Sequence, residues 1–149
     1  MLIEITISSN IKKIIAGLSP ENEKAAFKAG MTNLLLEAKA KAVPLTPVRT
    51  SNLVNSERII VSPDGTKGIL RATAKHAKFV HDGTGLYGPH HKKIVPVNKK
   101  ALFWPGAEHP VTSVKGIRPN PFFTKALKQI NPGKVFEEGM SNFLLRRLR

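Results

Sequence analysis

Phe79-Val80-His81-Asp82-Gly83-Thr84-Gly85-Leu86-Tyr87-Gly88-Pro89 is a short apolar run that breaks into three glycines and a proline. No helix tolerates that density of Gly and Pro, whereas glycine admits positive φ or the close approach of another backbone. Leu86 and Tyr87 leave an apolar anchor inside the stretch, so it predicts a structured loop and not a linker. It also spells G-x-G-x-x-G, with an acidic residue, Glu108, about twenty positions further on, as dinucleotide-binding sites have. Such a site needs a helix starting at the third glycine, so that its first N–H groups meet the pyrophosphate. Here Pro89 leads into His90-His91-Lys92-Lys93, a β-like Ile94-Val95 and then Pro96, which leaves no room for that helix. No cofactor is expected.

Working outward, residues 57–62 and 67–73 flank Pro63-Asp64-Gly65-Thr66, the signature of a hairpin with a type I turn and glycine in the left-handed position. After residues 74–77, a short strand or helical turn leads into the glycine loop. Beyond it, residues 93–97 and 101–104 are expected to pair across Asn98-Lys99-Lys100. Pro105-Gly106 then turns the chain, and residues 110–114 add an edge. The β part is therefore expected to be a small antiparallel sheet. Ile3, Ile5 and Ile7 alternate with Glu4 and Thr6 as a further half-buried strand, and Ile11, Ile14, Ile15 and Leu18 follow as a short helix ending near Gly17.

Ser19-Pro20-Glu21 starts the longest helix: Ser as N-cap, Pro where its missing N–H costs nothing, and acidic residues facing the dipole. Phe27, Met31, Leu34, Leu35, Ala38 and Ala42 keep one apolar face until Pro44, opposite a solvated face of Lys24, Lys28, Lys39 and Lys41. Residues 44–53 form a proline-pinned crossing in which Thr50 caps one short turn and Leu53 points inward. Asn120-Pro121 opens a helix with Phe122, Phe123, Ala126, Leu127 and Ile130 on its stripe. Asn131-Pro132-Gly133 breaks that helix, and a last one is expected from about Lys134 to Leu148, with Phe136, Met140, Phe143, Leu144 and Leu148 on one face.

The 149 residues fit one domain, read as a strand and short helix over 1–19, a motif-bearing part over 20–130 and a C-terminal helix over 131–149. The chain lacks cysteine, which excludes disulfides and thiolate metal sites. No apolar run approaches a membrane span, and the N-terminus lacks the pattern of a signal peptide. Lys and Arg outnumber Asp and Glu by 24 to 10, a net charge of +14 that favours polyanions or acidic protein surfaces as neighbours. With nine aromatic residues and lysines spread along the whole chain, a base-stacking nucleic-acid binder is a poor fit. His76, His81, Asp82, His90, His91 and His109 are the candidates for metal or acid–base chemistry, but their spacing matches no helical zinc motif. No nucleophile elbow and no obvious base–orienter pair is read in the sequence. Catalytic, cofactor and metal residues are all expected to be absent.

Three pieces in order carry a resemblance. Pro47-Val48-Arg49-Thr50-Ser51-Asn52-Leu53-Val54-Asn55-Ser56 resembles the P-V-x-T-G-x-L-x-x-S stretch of the tail-completion, or head-to-tail joining, proteins of long-tailed bacteriophages (siphoviruses) and prophages. The 77–89 stretch resembles that family's aromatic-V-H/E-x-G-T signature in its G-T-G-hydrophobic-Y-G-P form. Phe103-Trp104-Pro105-Gly106, His109-Pro110-Val111 and Pro119-Asn120-Pro121-Phe122 resemble its F-W-P-G, H-P-V and P-N-P-F motifs. The similarity spans roughly residues 20 to 130. Ser51 departs from it, standing where the family usually has Gly.

The resemblance implies an α+β fold, with a long N-terminal helix packed on a small antiparallel sheet and two C-terminal helices. It implies a non-enzymatic virion protein assembled in the bacterial cytoplasm. There the chain would form a ring of identical subunits, hexameric by resemblance, in the neck or upper tail. Head-closure proteins on one side and tail-terminator or tail-tube proteins on the other would be its partners. Under it the subunit or partner interface is expected at Phe79, His81, Gly83, Thr84, Gly85, Tyr87, Trp104, Asn120 and Phe122, with Phe79 and Trp104 read equally well as core residues. Lys92, Lys93, Lys99 and Lys100 are expected to face passing double-stranded DNA, because they crowd beside the glycine loop. The alternative reading is a stand-alone basic protein that binds nucleic acid without sequence preference, and a metal-dependent nuclease is a third.

Overall fold

A computed structural model describes residues 1–6, 17–47 and 51–147. The predicted 11–18 helix falls largely on residues 7–16, and the Thr50 cap on 48–50, so both lie outside the described residues. The chain divides into two compact units, one of Met1–Ala74 with Phe122–Arg149 and the other of Lys75–Pro121.

In the first unit, strand β1 (Leu2–Thr6), helix α1 (Pro20–Ala42), the short helix α2 (Asn52–Asn55) and strands β2 (Glu57–Val61) and β3 (Lys67–Ala72) come before the insertion of the second unit. Helices α4 (Phe122–Leu127) and α5 (Pro132–Arg147) come after it. The sheet is antiparallel in the order β1-β3-β2, with Ile3 and Ile59 both opposite Leu70. The β2–β3 hairpin turns as its sequence predicts. Gly65 has φ +71°, and its N–H donates to the Ser62 carbonyl at 3.0 Å. The Asp64 carboxylate accepts from the hydroxyls of Ser62 and Thr66 and from the Thr66 N–H, and these bonds hold its pKa down at about 2.

Helix α1 begins where Ser19 caps it, the serine Oγ accepting from the Asn22 N–H at 3.4 Å. Its predicted apolar face is buried at every position, and Ala26 and Gly30 join it. The face lies on the sheet at Gly68, where a methyl group would collide with Met31 and Leu35. Helices α4 and α5 close the core from its other side with Phe122, Phe123 and Phe136; the first two rings stack edge-on with centroids 4.6 Å apart. The expected architecture, a long helix on a small antiparallel sheet with two C-terminal helices, is what forms. Helix α4 ends at Leu127, short of the expected Ile130, and α5 starts two residues before its expected position, where the Asn131 Oδ1 accepts from the Lys134 N–H at 3.2 Å.

One buried carboxyl interrupts this core. Glu57 is fully buried, and its Oε1 lies 2.8 Å from the hydroxyl of Thr46, itself buried and 2.9 Å from the Ala42 carbonyl. Burial pushes the Glu57 carboxyl above its ordinary value, against the opposing pull of the Thr46 hydroxyl and of Lys39.

Candidate functional site

The second unit is built around the glycine loop. Helix α3 (Ala77–Asp82) leads in, so the strand-or-turn expected after 74–77 is a helix that takes in residues 79–82, and the chain leaves it at Gly83 (φ +77°). A 3₁₀ turn over Gly85–Tyr87 completes the loop. Residues 115–118 cross directly over it: the Thr84 N–H donates to the Ile117 carbonyl at 3.0 Å and the Leu86 N–H to the Lys115 carbonyl at 2.8 Å. The Thr84 Oγ1 accepts the Ile117 N–H in return, and the Arg118 guanidinium lies 5.4 Å over the Tyr87 ring. Gly85 and Gly116 meet at this crossing. Any Cβ on Gly85 would strike the Lys115 carbonyl, and any on Gly116 the Thr84 carbonyl.

The glycine pattern thus has a structural cause. Amides that would cradle a phosphate donate instead to protein carbonyls: Thr84 and Leu86 to the crossing segment, Tyr87 to Thr84, and Gly88 to Gly85. The chain after Gly88 is irregular, not helical.

Beyond the loop, the expected pairing of 93–97 with 101–104 does not occur. Ile94 bridges Val114, and Leu102 bridges Val111, each through two backbone hydrogen bonds of 2.7–3.0 Å. Pro96 removes a donor and fixes φ in the first segment, so no ladder can run along it. Pro105 and Gly106 (φ +93°) sit at the middle of a tight turn closed by the Ala107 N–H on the Trp104 carbonyl, as in a type II turn, and fold residue 102 back toward 111. The result is an arm over 94–114, pinned at two points, with Phe103-Trp104-Pro105-Gly106 at its tip.

The residues expected at an interface divide into three groups. Phe79, Tyr87 and Trp104 are exposed side chains, at 58%, 37% and 44%. His81, Gly83, Thr84, Gly85 and Asn120 hold the loop: His81 Nδ1 is 2.7 Å from Asp82 Oδ1, and the Asn120 N–H donates to the Val80 carbonyl. Phe122 is a correction. It is fully buried in the core of the first unit, so it stabilises the fold and is not an interface side chain. Lys92, Lys93, Lys99 and Lys100 are all exposed.

Two features escaped the sequence reading. Val97 and Phe103, at 92% and 68%, are more exposed than Phe79, Tyr87 or Trp104. The second is a cleft of about 590 Å³ beside the glycine loop, lined among others by Lys78, Phe79, Pro89, Lys92, Lys93 and Ile94. Among the described residues, no three His, Cys, Asp or Glu side chains converge as a metal site would require. No protein-family model, curated protein or solved structure matches the chain.

Proposed function

We propose that this chain is a structural protein of a tailed-phage neck or upper tail, which joins the DNA-filled head to the tail as a ring of identical subunits. One observation carries the reading. Among the described residues of the Lys75–Pro121 unit, Ala77 is the one buried apolar side chain, while Phe79, Val97, Phe103 and Trp104 stand in solvent. Large aromatic and aliphatic side chains held outward on a hydrogen-bonded frame are what an assembly surface offers its neighbours. Catalysis would instead call for converging polar groups, and a stand-alone nucleic-acid binder for one continuous basic face.

The motif resemblance supplies the particular assembly, with head-closure and tail-tube proteins as partners. Electron microscopy of a lysate in which this gene carries an early stop codon tests it. The expected outcome is filled heads beside finished, unattached tails. Intact particles would overturn the reading and bring forward the basic nucleic-acid-binding alternative.

A further inference from the structure

We propose that the cleft beside the glycine loop receives the Phe103–Trp104 tip of a second copy of this chain, a head-to-tail contact between successive subunits. The inference rests on the ring reading and names the surfaces that would build the ring. The cleft has an apolar wall of Phe79, Pro89 and Ile94 and a rim of Lys78, Lys92 and Lys93. Its one acid, Asp82, is outnumbered by the three lysines, so the rim presents net positive charge. None of the residues lining the cleft belongs to the chain's own tip.

The tip has the opposite character. Residues 101–114 contain no Lys or Arg in a chain that carries 24, and their single charge is Glu108. Phe103 projects from it largely uncovered and Trp104 partly so, on a turn fixed by Pro105-Gly106 and clasped at Leu102–Val111. A volume of about 590 Å³ lies within the usual range of roughly 300–1,000 Å³ for pockets that enclose a compact ligand, which suits a pair of aromatic side chains. Apolar tip and apolar wall would be buried together, with Glu108 brought to the lysine rim. Because tip and cleft are different surfaces, the contact is heterologous: it leaves a free tip and a free cleft on each dimer, and closes when the rotation per subunit permits a ring.

The chain has no cysteine, so single thiols can be placed at will. One preparation carries Lys78→Cys on the cleft rim and another His109→Cys beside the tip. The two are mixed at high concentration with a short bis-maleimide linker, and sedimentation velocity is run in parallel. The expected product is a cross-link joining one chain of each kind, with little from either preparation alone. Phe103→Ser with Trp104→Ser should abolish association while leaving the thermal transition in place, since neither side chain is buried within its own chain. Glu108→Lys alone should weaken association about tenfold. Combining it with Lys92→Glu and Lys93→Glu in one chain should restore it.

Links between like positions would indicate a two-fold contact and overturn the inference. Self-association without the 78–109 link would also overturn it while leaving the ring itself standing. A monomer at every concentration would overturn it as well, and would leave the neck role to the stop-codon lysate. Cleft occupancy by duplex DNA or by an acidic peptide, seen as protection of the thiol introduced by Lys78→Cys without self-association, would overturn it by assigning the cleft to a different partner.

Discussion

Thr46 has one hydroxyl hydrogen and two acceptors within 3 Å, the Ala42 carbonyl and Glu57 Oε1. A hydroxyl cannot donate to both at once. With a proton on Glu57 the conflict disappears, because the carboxyl donates to Thr46 Oγ1 and Thr46 donates to Ala42. Burial favours the same protonated form. A carboxyl whose folded pKa is raised contributes its full stability below the unfolded value, and loses it as pH rises through the folded one. Thermal melts of the native chain should therefore fall from pH 4.5 upward more steeply than those of Glu57→Gln, whose amide donates at every pH. The variant should melt higher than the native chain at about pH 8; equal slopes would show that Glu57 does not titrate in this range. Ser51 presents a second residue-scale prediction. It holds φ +57°, a conformation that costs an L-residue roughly 1–2 kcal/mol and glycine almost nothing. After subtracting glycine's greater freedom in the unfolded chain, Ser51→Gly should stabilise by about 0.5–1 kcal/mol in urea titrations. The departure of this residue from the joining-protein motif was visible in the sequence. Its left-handed backbone was not, because serine carries no signal for it.

Helix α1 and helix α5 approach each other at glycine on both sides. A Cβ on Gly139 would stand 2.6 Å from the Asn33 Cβ and 2.9 Å from the Gly30 Cα, and one on Gly30 would meet the Phe136 carbonyl at 2.8 Å. Asn33 then spans the crossing, its Nδ2 donating to the Val135 carbonyl at 2.8 Å. Gly139→Ala should force the helices apart and cost about 1–3 kcal/mol despite alanine's better helix propensity. A neutral or stabilising result in chemical denaturation would mean that the helices separate freely. The elements themselves were largely legible. Ser19-Pro20-Glu21 and the spacing of Phe27, Met31, Leu34 and Leu35 determine α1, and Pro63-Asp64-Gly65 determines the hairpin, because both signals are local. The helix-facing role of Gly30 and Gly139 was hidden, since glycine inside a helical pattern looks the same whether or not another helix touches it. The part of the stretch from Gly83 on was legible as an ordered loop, whereas 79–82 belong to helix α3, and the loop's partner, residues 115–118, was not legible. A crossing of two backbones leaves its trace only in the glycines, and Gly116 was the one available clue. Pairing of 93–97 with 101–104 followed from proximity in sequence, and Pro96 with the Pro105-Gly106 turn directed the bonds elsewhere.

Over the whole molecule, charge is the property with the longest reach. The Lys75–Pro121 unit carries eight Lys and Arg against Asp82 and Glu108, and Lys92, Lys93, Lys99 and Lys100 are all exposed within it. If these four lysines supply the contacts with duplex DNA, log affinity should fall with log salt at a slope no steeper than roughly −3.6, four times about 0.9. Replacing all four by Gln should flatten the slope toward zero, as read by fluorescence anisotropy from low to physiological salt. An unchanged slope would place DNA contact on other lysines. The order of the chain has a different consequence. The apolar face of α1 is complete by Ala42, but Phe122, Phe123 and Phe136, which cover it, lie beyond the insertion. Synthesis at about 5–20 residues per second needs roughly 4–16 s to cover the 80 residues from 42 to 122. For that interval the nascent protein leaves bare the side of the helix that turns away from the sheet, so completion of the first unit waits on translation, and a premature stop between those points releases a sticky fragment destined for chaperones and proteases.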